Sequence, residues 1–272
     1  IVVGQRPGPA TGLPTRTEQA ELEFVLHAGH GEFPRAIFAP GSVEQCFQLT
    51  QKAFALADRY QIPAFILTDQ FMADSYRAVA PFDLGQGSGT PAATTITGDS
   101  YQRYRFTPDG VSPRLFPGAT TNLVVADSDE HTQDGHITED LSIRRRMVEK
   151  RMRKGQGLLA ETIAPEYAGA DKPDILLVSW GSTKGAADEA AEILNADGGN
   201  AATLHFSQVW PLNPDGFARR LKDAARVVIV EGNATGQFAR ILRAETGVKA
   251  DISVLRYDGL PITPDYILER IG

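Results

Sequence analysis

Short apolar runs alternating with amphipathic helical stretches constrain this chain more than any other feature. In the first half, residues 1–3 read as the tail of a strand and 17–27 as a short helix opened by Thr17. Residues 35–39 read as a strand, 42–60 as a long helix capped by Ser42, and 64–67 as a buried strand. Pro40-Gly41 and Gln61-Ile62-Pro63 punctuate the long helix at its two ends. In the second half, strands are expected at 175–180, 201–204, 227–230 and 252–255. Helices are expected at 186–195, 213–223, 233–245 and 264–271. A strand, a helix and a second strand form the right-handed crossover unit of a parallel sheet. The predicted fold class is α/β, with two doubly wound parallel-sheet domains.

The chain has 272 residues, enough for two ordinary domains. Residues 1–126 are assigned to the first, 127–171 to a charged linker with a basic helix, and 172–272 to the second. Regularity fades from 71 to 122, where Gly85-Gln86-Gly87-Ser88-Gly89 and several prolines interrupt the pattern. A connection this long usually covers a site or an interface. Tyr101-Gln102-Arg103-Tyr104-Arg105-Phe106 alternates aromatic and basic residues and reads as a short strand or packed loop rather than a base-stacking platform. Residues 123–125 read as a strand.

A charge switch follows. Acids gather from Asp127 to Asp140 around His131 and His136, and 144–154 then holds seven basic residues and one acid. The acid and histidine spacing matches no metal-ligand motif, so no metal site is assigned. Ile143, Met147, Val148 and Met152 fit one face of a helix. Such a helix could dock an acidic partner. The simpler reading is a solvated helix whose charges pair locally. The net charge of −7 argues against nucleic acid as a partner. No apolar run approaches the ~20 residues of a membrane span. The single cysteine, Cys46, lies in a helical apolar pattern and reads as a core thiol. One cysteine cannot form an intrachain disulfide or ligate an iron–sulfur cluster alone, and a cytoplasmic location is expected.

The opening stretch Gly4-Gln5-Arg6-Pro7-Gly8-Pro9-Ala10-Thr11-Gly12-Leu13-Pro14-Thr15-Arg16-Thr17 has no helix or strand pattern. It follows the apolar 1–3 run, so Arg6 is expected just beyond the carboxyl end of a parallel strand, where open α/β sheets bind ligands. A guanidinium fork suits a carboxylate held through two hydrogen bonds. Thr11, Thr15 and Thr17 add hydroxyls, and the prolines limit the entropy lost on binding. The competing reading is a rigid connection whose arginine makes a structural ion pair. The turns 181–185 and 231–237 also lie where a parallel sheet presents its ligand-facing edge, but helix capping accounts for both more simply.

The stretch from Val3 to Gln19 resembles the signature of the alpha subunit of 2-oxoacid:ferredoxin oxidoreductases, closest to the 2-oxoglutarate branch. The resemblance continues through Arg103-Tyr104-Arg105, Gly110-Val111-Ser112-Pro113-Arg114, Gly135-His136-Ile137-Thr138-Glu139-Asp140, Val178-Ser179-Trp180-Gly181-Ser182-Thr183 and Glu231-Gly232-Asn233-Ala234-Thr235-Gly236-Gln237. It implies the C-terminal part of a thiamine diphosphate pyrimidine-binding domain, followed by a transketolase C-terminal-like domain. It implies oxidative decarboxylation of a 2-oxoacid, with acyl transfer to coenzyme A and electrons passed to ferredoxin. It further implies a beta subunit carrying the diphosphate site, its Mg2+ and a 4Fe-4S cluster. Carried onto this sequence, Arg6 grips the substrate carboxylate and Thr15 bonds the substrate beside it. Thr11 is a weaker candidate, and Gly8 and Gly12 let the backbone approach. The pyrimidine-activating glutamate is expected before Ile1, in sequence that this chain does not contain. A non-catalytic assembly subunit and a transketolase-like transferase are the alternatives.

Overall fold

The computed structural model describes residues 1–5, 7–10, 12–83 and 101–272. Arg6, Thr11 and the run from Gly85 to Gly89 lie outside the described residues.

Two sheets organise the chain. The first comprises β1 (Val2–Gly4), β2 (Ala36–Phe38), β3 (Ala64–Leu67) and β7 (Gln208–Trp210), in the order β1-β3-β2-β7. The first three strands are parallel, and β7 joins antiparallel to β2. The second sheet has the order β4-β6-β5-β8-β9, from β4 (Glu166–Ala168), β5 (Ile175–Trp180), β6 (Ala201–Phe206), β8 (Arg226–Glu231) and β9 (Ile252–Leu255). Its strands are parallel except β4, which closes one edge antiparallel to β6. The expected α/β architecture is present. Both antiparallel edge strands are additions that the apolar pattern did not reveal, because neither Glu166–Ala168 nor Gln208–Trp210 is a continuous apolar run.

The strands sort their side chains by alternation. In β3, Ala64 and Ile66 turn to a core shared with α2 (Val43–Tyr60), while Phe65 and Leu67 face the other way. In β5, Leu176, Val178 and Trp180 join that opposite core, and Leu177 packs with Ala187 of α5 (Lys184–Ala196) and Ile267 of α8 (Pro264–Ile271). The largest core therefore lies between the two sheets. It includes Leu22 and Val25 of α1 (Leu22–Leu26) and Phe238 and Ile241 of α7 (Gln237–Thr246). Ser42 caps α2 by accepting the Gln45 N–H at 3.2 Å, as its sequence position predicts.

Several expectations need correction. The helix expected at 17–27 is reduced to α1, because Thr17 and Gln19 spend their backbone N–H groups on Gly259 and Gly232. Residues 123–125 form no strand, and Leu123 is exposed. The helix expected from 233 begins at Gln237. Asn233 stays outside it and accepts the N–H groups of Thr235, Gly236 and Gln237. The basic helix is α4 (Leu141–Ala160), but its buried face carries Met147, Lys150 and Leu158 rather than Met152. The stems of long cations supply apolar surface as well as charge.

Charges around α4 pair locally, as the simpler reading anticipated. Glu130 accepts from Arg144 at 2.8 Å and from both Arg151 nitrogens at 3.0 and 2.8 Å. Glu161 accepts from Lys52, Arg59 and Tyr60. Burial pushes both carboxyls up, but these donors outweigh it and hold each at about 2. A depressed folded pKa contributes stability that is present above the ordinary value of 4.5 and is lost as pH falls toward about 2. The double substitution Glu130→Gln, Glu161→Gln is therefore expected to flatten the acid side of a melting-temperature profile. An unchanged fall in melting temperature between neutral pH and about pH 3 would show that these pairs carry none of it.

Candidate active site

Four parallel strands from both sheets end around one short segment, residues 17–19. The chain leaving β3 reaches Asp69, which is 3% exposed. The chain leaving β5 turns at Gly181–Thr183, and Ser182 donates its hydroxyl hydrogen to Asp69. The chain leaving β8 contributes Gly232 and Asn233, and the chain leaving β9 contributes Gly259.

Thr17 sits where these ends meet. Its N–H donates to Gly259 O at 3.1 Å, and its Oγ1 accepts the Phe71 N–H at 3.3 Å. Its hydroxyl also bonds the Asp69 carboxylate. Asp69 Oδ1 accepts the Met72 N–H at 2.9 Å. Burial pushes the Asp69 pKa up, while Ser182, Met72 and Thr17 pull it down and win back only part of the shift.

Gln19 is clamped more tightly. Its side chain donates to Trp180 O at 2.8 Å and accepts the Gly232 N–H at 2.8 Å. Its backbone N–H donates to Gly232 O at 2.6 Å, and its carbonyl accepts from Asn233. Behind it lies Glu231, fully buried, which accepts the Phe238 N–H, the Ala239 N–H, Asn233 Nδ2 and Trp180 Nε1. Glu231 thereby satisfies the orphan donors at the start of α7. Burial pushes its pKa up, against the pull of those four donors.

The segment before Thr17 forms an exposed loop standing on this clamp. Gly12 N–H donates to Pro9 O at 2.8 Å and closes a turn. Gly12 has φ 57°, and a Cβ there would meet Pro7 O at 1.6 Å, so the turn itself demands glycine. A Cβ at Gly8 would meet nothing within 4 Å. Thr15 is exposed and held at φ 58°, a left-handed conformation that costs a β-branched residue about 1–3 kcal/mol. Under the loop, Gly259 has φ 84°, and a Cβ there would come within 2.7 Å of Leu13. The loop is thus seated on the backbone of the second sheet's connections.

Burial also raises the Glu18 pKa. The Gly8 N–H bonded to its carboxyl lowers it, and Glu21 raises it further. Glu18 therefore ties the tip of the loop back to its base. Beside Thr17 opens a cleft of about 520 Å³ lined by Ser42, Phe71, Arg77, Ser182, Glu189 and Pro264.

Of the residues singled out from sequence, Gly8, Gly12 and Thr15 share this loop, while Arg6 and Thr11 lie outside the described residues. Sequence reasoning missed Gln19, Asp69 and Glu231 as the groups that seat the loop. A polar residue directly after each of two apolar strands was the available signal. The turns at 181–183 and 231–236 act as helix starts, in agreement with the capping reading. Asp140 caps α4, and His131 stacks on Tyr104 with ring centroids 4.1 Å apart, which uses part of the acidic and histidine cluster structurally. Residues 101–106 form a packed loop in which Tyr104 and Phe106 donate their N–H groups to Gln133.

Residues 1–150 match the family described as pyruvate flavodoxin/ferredoxin oxidoreductase, thiamine diphosphate-binding. Residues 168–257 match transketolase, C-terminal domain. The chain is 33% identical to the alpha subunit of a 2-oxoacid:ferredoxin oxidoreductase from Sulfurisphaera tokodaii, over 98% of this chain and 43% of that one. It is 37% identical to an alpha subunit of the same description from Aeropyrum pernix, over 100% of this chain and 43% of that one. With a 2-oxoglutarate synthase subunit from Archaeoglobus fulgidus it shares 26% identity, over 98% of this chain and 68% of that one. A solved 2-oxoglutarate:ferredoxin oxidoreductase from Magnetococcus marinus, with 2-oxoglutarate, coenzyme A and succinyl-CoA bound, superposes with a TM-score of 0.83 at 30% identity. That similarity covers 99% of this chain and 47% of that one. The chain spans less than half the length of the Sulfurisphaera and Aeropyrum relatives.

Proposed function

The chain belongs to the pyruvate flavodoxin/ferredoxin oxidoreductase family of thiamine diphosphate-binding domains, and we propose that it forms one wall of the active site of a 2-oxoacid:ferredoxin oxidoreductase. In this reading the complete enzyme decarboxylates a 2-oxoacid oxidatively, passes the acyl group to coenzyme A and delivers electrons to ferredoxin. The preferred substrate is 2-oxoglutarate. The observation that carries the reading is the seating of residues 12–17 on strand ends of both sheets, which would keep a neighbouring substrate-binding group in place.

Arg6 grips the 2-oxoacid carboxylate through its guanidinium fork, and Thr15 bonds the substrate beside it. The strained backbone of Thr15 supports that role, because such strain persists where the surroundings over-determine it. Gly12 closes a turn onto Pro9 ahead of Thr15, and Thr11 and Gly8 are the weaker candidates. Thr17 and Gln19 are positioning residues that fix the loop to Asp69, Ser182, Trp180 and Gly232.

Thiamine diphosphate, when bound, supplies the carbanion that adds to the 2-oxo carbon. The residues present fit one edge of its site. Val3 offers an exposed apolar side chain on β1, and Glu21 lies close to Gly4 at its end, a setting that would suit one edge of an aminopyrimidine ring. Among the described residues, no group of three or more His, Cys, Asp or Glu side chains is placed to hold a metal ion. The family resemblance, rather than this absence, is the ground for expecting the magnesium, the diphosphate and the 4Fe-4S cluster on a beta subunit. The single Cys46 is consistent with that division.

The test is an assay of the complete complex with 2-oxoglutarate, pyruvate and branched 2-oxoacids, following coenzyme A-dependent reduction of ferredoxin. The highest kcat/KM is expected with 2-oxoglutarate. A preference for pyruvate would overturn the substrate assignment, and turnover without any electron acceptor would overturn the reaction class.

A further inference from the structure

Five cations meet where the loop 103–111 packs on α4. They are Arg103, Arg146, Lys150, Arg153 and Lys154. Elsewhere along the helix, cations are paired: Arg144 and Arg151 share Glu130, and Arg145 pairs with Glu149. Among the described residues, none of the five has a carboxylate within salt-bridge distance, and Asp109 is the one acid that acts on Lys154.

Lys150 is 5% exposed, its ammonium has no hydrogen-bond acceptor among the described residues, and it lies over the Tyr104 ring at 5.7 Å from the centroid. The Arg103 guanidinium lies over the same ring at 5.0 Å, and the Arg146 guanidinium lies over Phe106 at 4.1 Å. Lys154 donates to Gln61 O at 3.3 Å, and Arg153 Nη2 donates to Thr107 O at 3.4 Å. Two buried polar atoms beside them, Arg153 Nε and Thr107 Oγ1, have no partner among the described residues.

The backbone of the loop is drawn close to hold the cluster. At Gly110, φ is 80° and a Cβ would stand 2.2 Å from Lys150 O. Burial, and then the neighbouring cations, push both Lys150 and Lys154 down to about 8. The cations of the cluster thus repel one another.

We propose that this junction is a binding site for a diphosphate-type anion, held by Arg103, Lys150, Arg153 and Lys154. A multiply charged anion neutralises several cations at once and accepts hydrogen bonds from the unpartnered donors. The half-buried setting favours a small anion over an acidic polypeptide, whose carboxylates would have to reach a lysine that is almost fully covered. The inference stands independently of the 2-oxoacid reading, because no residue of the opening loop takes part.

Thermal melts and calorimetric titrations test it, using the protein isolated with its own subunits. The probes are inorganic pyrophosphate and ADP, each against sodium chloride at equal ionic strength. Pyrophosphate is expected to raise the melting temperature beyond the chloride control. Lys150→Met and Arg103→Gln are each expected to weaken its binding at least about tenfold, roughly the loss of one charge-assisted contact. Without anion, Lys150→Met should melt at or above the parent temperature, because it removes an unpaired buried charge while keeping the packing. Tighter binding of ADP than of pyrophosphate assigns a nucleotide-borne diphosphate; equal binding assigns the free anion. If pyrophosphate acts only as chloride does, or binds both variants as it binds the parent, the site is overturned. If Lys150→Met fails to fold, Arg103→Gln carries the same comparison.

Discussion

On the proposed carboxylate contact, Arg6→Lys is expected to raise the KM for the 2-oxoacid by about 10- to 100-fold in the complete enzyme, with a smaller change in kcat. The size follows from the geometry of the two cations. Arginine presents a planar fork that meets both oxygens of a carboxylate, whereas lysine keeps the charge but offers a single rotating ammonium. Losing one charge-assisted hydrogen bond costs about 1.5–3 kcal/mol, which is the quoted range in affinity. The KM for coenzyme A should stay at its parent value, since the change is confined to the carboxylate contact. Parental 2-oxoacid kinetics in this variant would remove Arg6 from the site. Thr15→Val provides the companion measurement. It keeps the branched shape and removes one hydroxyl, so a smaller rise in KM in the same direction is expected.

Glu231→Ala should lower the stability of the protein more than any other single change considered. Glu231 is fully buried and accepts from four donors: Phe238 N–H, Ala239 N–H, Asn233 Nδ2 and Trp180 Nε1. Removing the carboxylate strands the backbone donors that open α7 and leaves a cavity behind the Gln19 clamp. Unsatisfied buried donors cost about 1–3 kcal/mol each, and partial relaxation brings the expected total to about 3–5 kcal/mol. For a chain of this size that corresponds to a fall of about 10 °C in melting temperature. Glu231→Gln retains one acceptor and should fall by roughly half as much. If Glu231→Ala melts within about 2 °C of the parent, the hydrogen-bond network is not what holds α7 to the sheet.

The two predictions probe different parts of one arrangement. Arg6 and Thr15 belong to a loop whose composition announces it: prolines and glycines exclude regular structure, and the position after an apolar run sets it at a strand's carboxyl end. Glu231 and Gln19 carry no such signal. The stretch 231–237 reads only as a capping turn, and the fold alone brings the start of α7 over the Glu231 carboxylate. A glutamine beside Thr17 reads as helix surface, which is why a helix is expected there; its hydrogen bonds run instead to residues more than 160 positions away.

Local sequence decided the elements whose physics is local. The α2 helix has its apolar spacing, its Ser42 cap and its Pro63 stop, and it forms as expected. The four parallel strands of the second sheet are four to six residues long and rich in β-branched and aliphatic side chains, and those too form as expected. The same residues allowed no assignment to be made for β4 and β7, because a three-residue edge strand is created by its neighbour's unpaired backbone groups and not by its own periodicity. Tertiary structure alone decided that β7, far along the chain, completes the first sheet. It also decided that strand ends of both sheets converge on residues 17–19. Sequence therefore determined that there is a stiff loop on an α/β scaffold, and offered anion binding and a structural ion pair as the two readings of its arginine. What holds that loop in place is a set of buried hydrogen bonds between distant segments, and these exist only once both sheets have packed against a common core.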